Sequence, residues 1–436
     1  MATATGVQTA VERPCHVCQL FGAIYLIYGI KRATTLVHGP QSCCGYMRFT
    51  ISQHFTELRT GKPFFYECTE VSSGRQKFVE KVCRLIKDHD LRFICLINTC
   101  LNDSGAEIIN SWLEEMKAGS QQVPEIVYIN ALHPSGSYAT GYDVASKAVL
   151  ELLAKPAGVR HGRLNIIPGM INPGDLQEVK RILADMAVPY TMLYDGSERL
   201  SARPVEYAVD PPANATFPEE LIDSANSIGT IALCRHAGGA GADYLNRKFG
   251  IPAVYGPLPV GLTSTDLFLD RIKGLTGVGI SSVQERERKS LLDGMADSKR
   301  YTAGKKVAIT GDPDLVSSLT RFTCELGMEP AVVMSNMPSE PFVQEIETIA
   351  KEYGNSPVII SGSELSEFKH VIHERETDIV LGPSYLSGIA KSAGVPLLRI
   401  GFPVYDRCSC DRWPVLGYRG GLRLIELIRK VAQEVV

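Results

Sequence analysis

The sequence predicts an α/β fold of three Rossmann-like domains with doubly wound parallel sheets, and three observations carry that reading. Short β-branched apolar runs alternate with longer amphipathic ones, the alternation starts afresh after a charged stretch near residue 290, and the short runs are apolar throughout, as strands covered on both faces are. The first series comprises "RFICLINTC" (92–100), "EIVYIN" (125–130), "RLNIIPG" (163–169), "YTMLYDG" (190–196) and "TIALCR" (230–235). Helices are expected between them, such as "GDLQEVKRILADM" (174–186) and "GADYLNRKFG" (241–250), the second closed by a glycine suited to a helix C-cap. A linking helix is expected at "SSVQERERKSLLDGMADSKRY" (281–301). Beyond it, "KKVAITG", "EPAVVMSN", "SPVIISG", "TDIVLGPS" and "PLLRIGFP" read as five more parallel strands. The expected domains are 1–150, 151–295 and 296–436.

Composition narrows the partners. Of 436 residues, 44% are hydrophobic and 21% charged, the net charge is −3, and the basic residues are scattered, so no footprint for nucleic acid or an anionic membrane is visible. The start has no basic segment leading into an apolar core, and nowhere do eighteen apolar residues run together, which predicts a cytoplasmic chain with no membrane partner. The turn "ITGDPD" carries one glycine, and no GxxxxGK[ST] occurs, so the chain is expected to bind neither ATP nor NAD by itself.

Twelve cysteines are the main chemical signal, eight of them in the first 100 residues, at 15, 18, 43, 44, 68, 83, 95 and 100. In a reducing compartment these do not read as a disulfide framework. Cys15 and Cys18 form a C-x2-C, a spacing shared by zinc sites, redox pairs and iron–sulfur ligands. Zinc would want a second such pair, and the chain offers only the C-x-C of Cys408 and Cys410; a redox pair would follow a strand, and this one follows a proline. The remaining reading joins Cys18, Cys43 and Cys100, each in a loop marked by glycine, proline or asparagine, as thiolates converging on a cluster. Cys83, Cys95 and Cys324 lie within apolar periodic runs and read as small core residues. Ser137, in the loop after "IVYIN", and Cys234, closing "TIALC", stand where ligands gather in such sheets.

Taken together, "CQLFGA" (18–23), "HGPQSC" (38–43) and "NTC" (98–100) resemble the β-type subunits of nitrogenase component 1 and its relatives. The resemblance continues through "PSGSYATGYD" (134–143), "NPGDLQEVK" (172–180), "GPLPVGLTSTDLFL" (256–269) and "VAITGDPDLV" (307–316), and closes with "GFPVYDR" (401–407) and "PVLGYRGG" (414–421). It covers nearly the whole chain in order, and its ending is β-type.

The resemblance implies that Cys18, Cys43 and Cys100 are the β-side ligands of an 8Fe-7S P-cluster, with an α-type subunit supplying the other half in an α2β2 heterotetramer. It also implies that Ser137 can ligate an iron of the oxidised cluster. A homodimeric ATP-hydrolysing reductase with its own 4Fe-4S cluster would deliver electrons, and a further iron–sulfur cofactor is expected on the partner. No residue of this chain is implied as an acid or base. By the resemblance Cys43 is the ligand of the Cys43-Cys44 pair, leaving Cys44 as buried packing or a spare thiolate. By the resemblance the complete cysteine triad points to an electron-transferring enzyme with a P-cluster. The position of Cys18 and stretches such as "IKRATTLVHG" and "ISQHF" look closer to the iron-only nitrogenase subunit. The altered stretch "SSGRQKFVEKV" (72–82) departs from it, and the better fit is to the nitrogenase-like methylthio-alkane reductases, which cleave C–S bonds. An iron-only-like nitrogenase subunit and a non-catalytic cofactor-assembly scaffold are the alternatives. The segment around Cys408, Cys410 and Trp413 is expected to line a subunit contact, with Asp406 and Arg407 as a structural ion pair.

Overall fold

The computed structural model describes residues 17–55, 66–69, 74–88, 91–99, 109, 111–115, 125–129, 136–197, 215–362 and 365–433. Three parallel sheets organise them. The first contains β1 (Ala33–His38), β2 (Tyr66–Thr69), β3 (Phe93–Asn98) and β4 (Glu125–Ile129) in the order β2-β1-β3-β4. The second repeats that order with β5 (Leu164–Ile167), β6 (Tyr190–Met192), β7 (Gly229–Ala232) and β8 (Ala253–Tyr255), arranged β6-β5-β7-β8. The third holds β9 (Lys306–Gly311), β10 (Glu329–Ser335), β11 (Val358–Ser361), β12 (Ile379–Gly382) and β13 (Leu397–Arg399) in the order β11-β10-β9-β12-β13. These orders reverse direction at the first strand of each sheet, the doubly wound pattern expected from the sequence.

Among the strands read as continuous apolar runs, Phe93–Asn98, Leu164–Ile167 and Gly229–Ala232 are buried at every position. Strand β1 was not expected, because Thr34 and Thr35 interrupt its apolar run; both are nevertheless buried. The helix Pro173–Asp185 starts with proline in its first turn, and Gly250 ends the helix Gly239–Phe249 with φ of 66°, in the left-handed region glycine tolerates. The linking helix spans Ser282–Thr302, its first turn capped by the Ser281 hydroxyl accepting from Gln284 N–H. It packs against the C-terminal helix Gly417–Gln433 and is clamped to the second unit by a bidentate Arg288–Asp266 pair at 2.8 to 3.0 Å.

Two helices cross with almost no gap. Gln19–Tyr28 and Tyr138–Leu153 meet where a Cβ on Gly22 would lie 1.8 Å from the Tyr138 carbonyl oxygen and one on Gly141 would lie 1.9 Å from that of Gln19. Only hydrogen fits at either position.

Three side-chain expectations are corrected. Cys83 is exposed, because it falls on the outer face of the helix Gly74–Asp88 while Phe78, Val82 and Leu85 take the inner one. Asp406 pairs with Arg399 at 2.8 Å and accepts from the Ser384 hydroxyl, so its structural partner is Arg399 and not Arg407. Cys43 lies in a helix and not in a loop, as described below. Cys95 and Cys324 are buried as expected. Among the described residues no helix is long and apolar enough to cross a membrane.

Replacing Gly141 with alanine is expected to destabilise the chain by about 3 kcal/mol through overpacking against backbone that cannot rotate away. Denaturant unfolding of Gly141→Ala beside Gly274→Ala, whose Cβ would meet nothing within 4 Å, checks this.

Candidate metal centre

Cys18 and Ser137 are N-cap residues of the two tightly crossed helices. Their backbones pair directly, in an isolated antiparallel bridge between Cys18 and Ser137. The Ser137 hydroxyl accepts from Thr140 N–H at 3.4 Å and donates to Met337 Sδ at 3.2 Å, while the Cys18 thiol makes no capping bond. Gln19 reaches across to Thr140 Oγ1 at 3.0 Å, and Gly136 leaves room for the Gln19 side chain. Cys18 and Ser137, 119 residues apart in sequence, are thus neighbours because two glycines let their helices touch.

Cys43 is the third residue of the helix Gln41–His54, which follows β1 through Gly39 and Pro40. Its placement in a loop is therefore corrected: Pro40 serves as N-cap, with a fixed φ suited to that position. Successive helical side chains diverge by about 100°, which separates Cys43 from Cys44. Cys43 is half-buried with a thiol outside any disulfide, whereas Cys44 is buried and disulfide-bonded, so Cys44 is not a spare thiolate.

Cys100, Cys15 and the side chain of Cys68 lie outside the described residues. The segment leading to Cys100 is described: His38 and Asn98 are paired at the ends of adjacent β1 and β3, and Thr99 N–H donates to the His38 carbonyl at 3.0 Å. Gly39 sits so close to Thr99 that a Cβ there would lie 2.2 Å from its Oγ1. The turn before Cys43 and the strand end before Cys100 therefore run side by side.

The donor chemistry fits an iron–sulfur group. Cys18 and Cys43 are half-buried thiols packed against the main apolar core, each in the first turn or cap of a helix, where exposed N–H groups favour negative charge. Among the described residues no three His, Cys, Asp or Glu side chains are grouped closely enough to hold a metal ion, so the described part of this chain supplies only a partial ligand set.

His54, which the sequence reading did not single out, anchors the Cys43 helix. Its Nδ1 accepts from Val404 N–H at 2.9 Å, so Nε2 carries the proton and donates to Asn172 Oδ1 at 2.9 Å. One ring thereby ties the first unit to the second and the third. Phe55 and Phe402 meet it edge-on, each with a centroid distance of 4.6 Å. Burial is the main cause that pushes His54 down to about 4, against the smaller upward effect of its two hydrogen bonds. The local stretch "ISQHF" (51–55) carries no mark of this role, because its partners lie 118 and 350 residues away.

Cys234 ends β7 as a core thiol, 1% exposed, its Sγ 3.6 Å from the Pro168 carbonyl, with burial pushing its pKa well up. Cys408 is exposed and Cys410 half-buried, beside an exposed Trp413 stacked with Arg423. Tyr46 and Phe49 are likewise exposed on the Cys43 helix, one and two turns further on.

Comparison with known proteins places the chain in a family. Residues 18–433 match the family described as nitrogenase component 1 type oxidoreductase. The chain is 34% identical over 433 residues to the nitrogenase molybdenum-iron protein beta chain of Methanococcus maripaludis, covering 96% of this chain and 94% of the relative. It is 35% identical to the vanadium-iron beta chain of Trichormus variabilis and 34% identical to the iron-iron beta chain of Rhodobacter capsulatus, each covering 95% of this chain and 92% of the relative. A solved structure, "Nitrogenase Cp1 at pH 6.5", superposes with a TM-score of 0.91 at 28% identity, covering 100% of this chain and 95% of that one. The chain therefore belongs to the nitrogenase component 1 family, as a β-type subunit of a nitrogenase-like oxidoreductase. Membership implies iron–sulfur clusters of the P-cluster kind, an α-subunit partner and a reductase component.

Because the folded state holds His54 neutral, its contribution to stability is fully present above about pH 6.5 and is lost as pH falls from there toward 4. The loss amounts to roughly 3 kcal/mol. Unfolding midpoints of the chain and of His54→Gln, followed from pH 7.5 to 4.5, should converge as the pH drops.

Proposed function

We propose that this chain carries half the ligands of an 8Fe-7S P-cluster, through Cys18, Cys43 and Cys100, and relays electrons to a cofactor held by an α-type partner. The observation that carries the reading is the backbone pairing of Cys18 with Ser137, which sets a thiol and a hydroxyl at adjoining helix N-termini. Sharing the ligands between two chains would make metal binding and assembly interdependent. The exposed Tyr46 and Phe49 beside Cys43 support a partner covering this face.

When bound, the cluster would supply one-electron storage at a potential tuned by its thiolates, hydrogen bonds and dryness. This chain's part is positional. The Gly22–Gly141 crossing holds Cys18 and Ser137, His54 holds the Cys43 helix, and Met337 and Phe402 close the apolar wall behind them. Ser137, oriented by Thr140 and Met337, would be the side chain that holds an iron of the oxidised cluster, as a deprotonated hydroxyl. Where the three units meet, the cavity is about 80 Å³, room for a few waters and not for a metal cofactor, which supports placing substrate reduction on the partner.

For the whole complex we propose reductive cleavage of methylthio-alkanes. Two electrons and two protons convert R–S–CH3 into R–H and methanethiol, the C–S bond breaking as C–H and S–H bonds form. The near-equal identities to molybdenum, vanadium and iron-only beta chains attach this chain to none of the three metal types in particular. A second reading, dinitrogen reduction, is favoured by the fact that these relatives are nitrogenases. The purified complex with its reductase component and ATP is expected to release methanethiol from a methylthio-alkane; ammonia from dinitrogen, without methanethiol, would establish the second reading.

Two substitutions test the relay. Co-expressed with the α-type subunit, Cys43→Ala or Cys100→Ala should lower the roughly eight irons expected per interface and abolish electron delivery while leaving the partner's cofactor in place. Unchanged delivery would remove the relay role. Ser137→Ala should cost about 1 kcal/mol through the lost cap and, separately, shift the midpoint potential of the oxidised cluster. A stability loss with no shift in potential would leave Ser137 a capping residue only.

A further inference from the structure

Between the second and third units lies an open cleft of about 530 Å³ that the cluster site does not use. Three arginines line it, Arg235, Arg271 and Arg321. Among the described residues neither Arg235 nor Arg271 forms an ion pair, and the one hydrogen bond of the Arg271 side chain runs from Nη1 to the Tyr255 carbonyl at 2.9 Å. The carboxylates of the cleft are mostly engaged elsewhere. Asp314 accepts from the N–H groups of Arg235 and His236 at 2.7 and 2.9 Å and from His236 Nδ1, and Glu352 pairs with Arg321 at 2.6 Å. Glu345 is half-buried, and burial, then the charge of Asp314, raises its pKa, which weakens its claim on the arginines. Burial, then the charge of Arg235, lowers the Arg271 pKa against an upward effect of Glu345, so the two guanidiniums lie close enough to repel and have that weakened carboxylate near both.

A third group completes the arrangement. Ser264 lines the same cleft and is 1% exposed, yet its hydroxyl has no hydrogen-bond partner, and an orphaned buried hydroxyl is costly. The adjacent helix N-terminus is not the attraction, since the N–H groups of Leu262 and Thr263 already donate to the Glu325 carboxylate at 3.0 Å.

We propose that this cleft binds a small dianion of the phosphate or dicarboxylate class between the Arg235 and Arg271 guanidiniums, with the Ser264 hydroxyl as a further donor. Guanidinium forks suit both oxyanions, and a ligand bridging Arg235, just after β7, and Arg271, in the helix Thr263–Thr276, would cross-link a unit edge that faces the third sheet. This reading is independent of the cluster and can be tested on iron-free or iron-loaded protein.

Isothermal titration of the full chain in its complex, in chloride buffer, with inorganic phosphate and separately with succinate, decides it. One saturable site per chain is expected for at least one probe, and the tighter probe identifies the class. Arg235→Gln, at an exposed residue without an ion pair, should weaken binding about tenfold, as should Arg271→Gln, while Arg286→Gln, at an exposed residue of the linking helix outside the cleft, should not. Absence of saturable binding for both probes, or unchanged affinity in Arg235→Gln, overturns the proposal.

Discussion

The contact on which the site depends is backbone against backbone. Where the helices Gln19–Tyr28 and Tyr138–Leu153 cross, Gly22 and Gly141 each face a carbonyl oxygen of the other helix. Side chains of any size would push the helices apart, and the N-caps Cys18 and Ser137 would separate with them. Close approach costs these helices two residues of poor helix propensity, roughly 1 kcal/mol each, and that cost is offset by packing among Phe21, Tyr138 and Phe402. The relative placement of Cys18 and Ser137 is therefore a consequence of helix packing, not of loop conformation.

The same logic extends outward. A thiolate ligand must be held rigidly if the potential of its cluster is to be defined, and helix first turns are stiffer platforms than loops. His54 serves this end from the far end of the Cys43 helix by joining three units through one neutral ring. Asp175 plays a parallel part: buried, with a pKa raised to about 7 chiefly by burial, it accepts from Val415 and Leu416 N–H and so pins the segment leading to the C-terminal helix. His54 and Asp175 are thus buried polar joints between sheets, where apolar packing alone would not specify one relative placement.

The division of labour between chains follows from room and charge. Three sheets converge on a small cavity lined by Tyr138, Asn172, Asp175 and Asp312, and filled mostly by apolar side chains such as Leu258 and Phe402. The larger open cleft lies elsewhere, between the second and third units, and is marked by arginines instead of thiols. The soft-ligand site proposed at one face and the anion site proposed at another differ in donor chemistry, so occupancy of one would not compete with the other.

Much of the architecture was legible in the sequence because fully buried parallel strands must be apolar throughout: the runs at 92–100, 163–169 and 305–311 each became a strand. The cysteine positions and their match to family motifs were also local facts, readable without a structure. Strand β1 escaped because two threonines broke its apolar run while the tertiary fold buried them, and Cys83 was misplaced because helix phase, not mean hydropathy, decides exposure. Only the tertiary structure could bring Ser137 to Cys18, join His54 to Asn172 and Val404, or set Arg235 against Arg271. Those pairings span 36 to 350 residues of chain, and no spacing rule encodes a contact made by the packing of separate sheets.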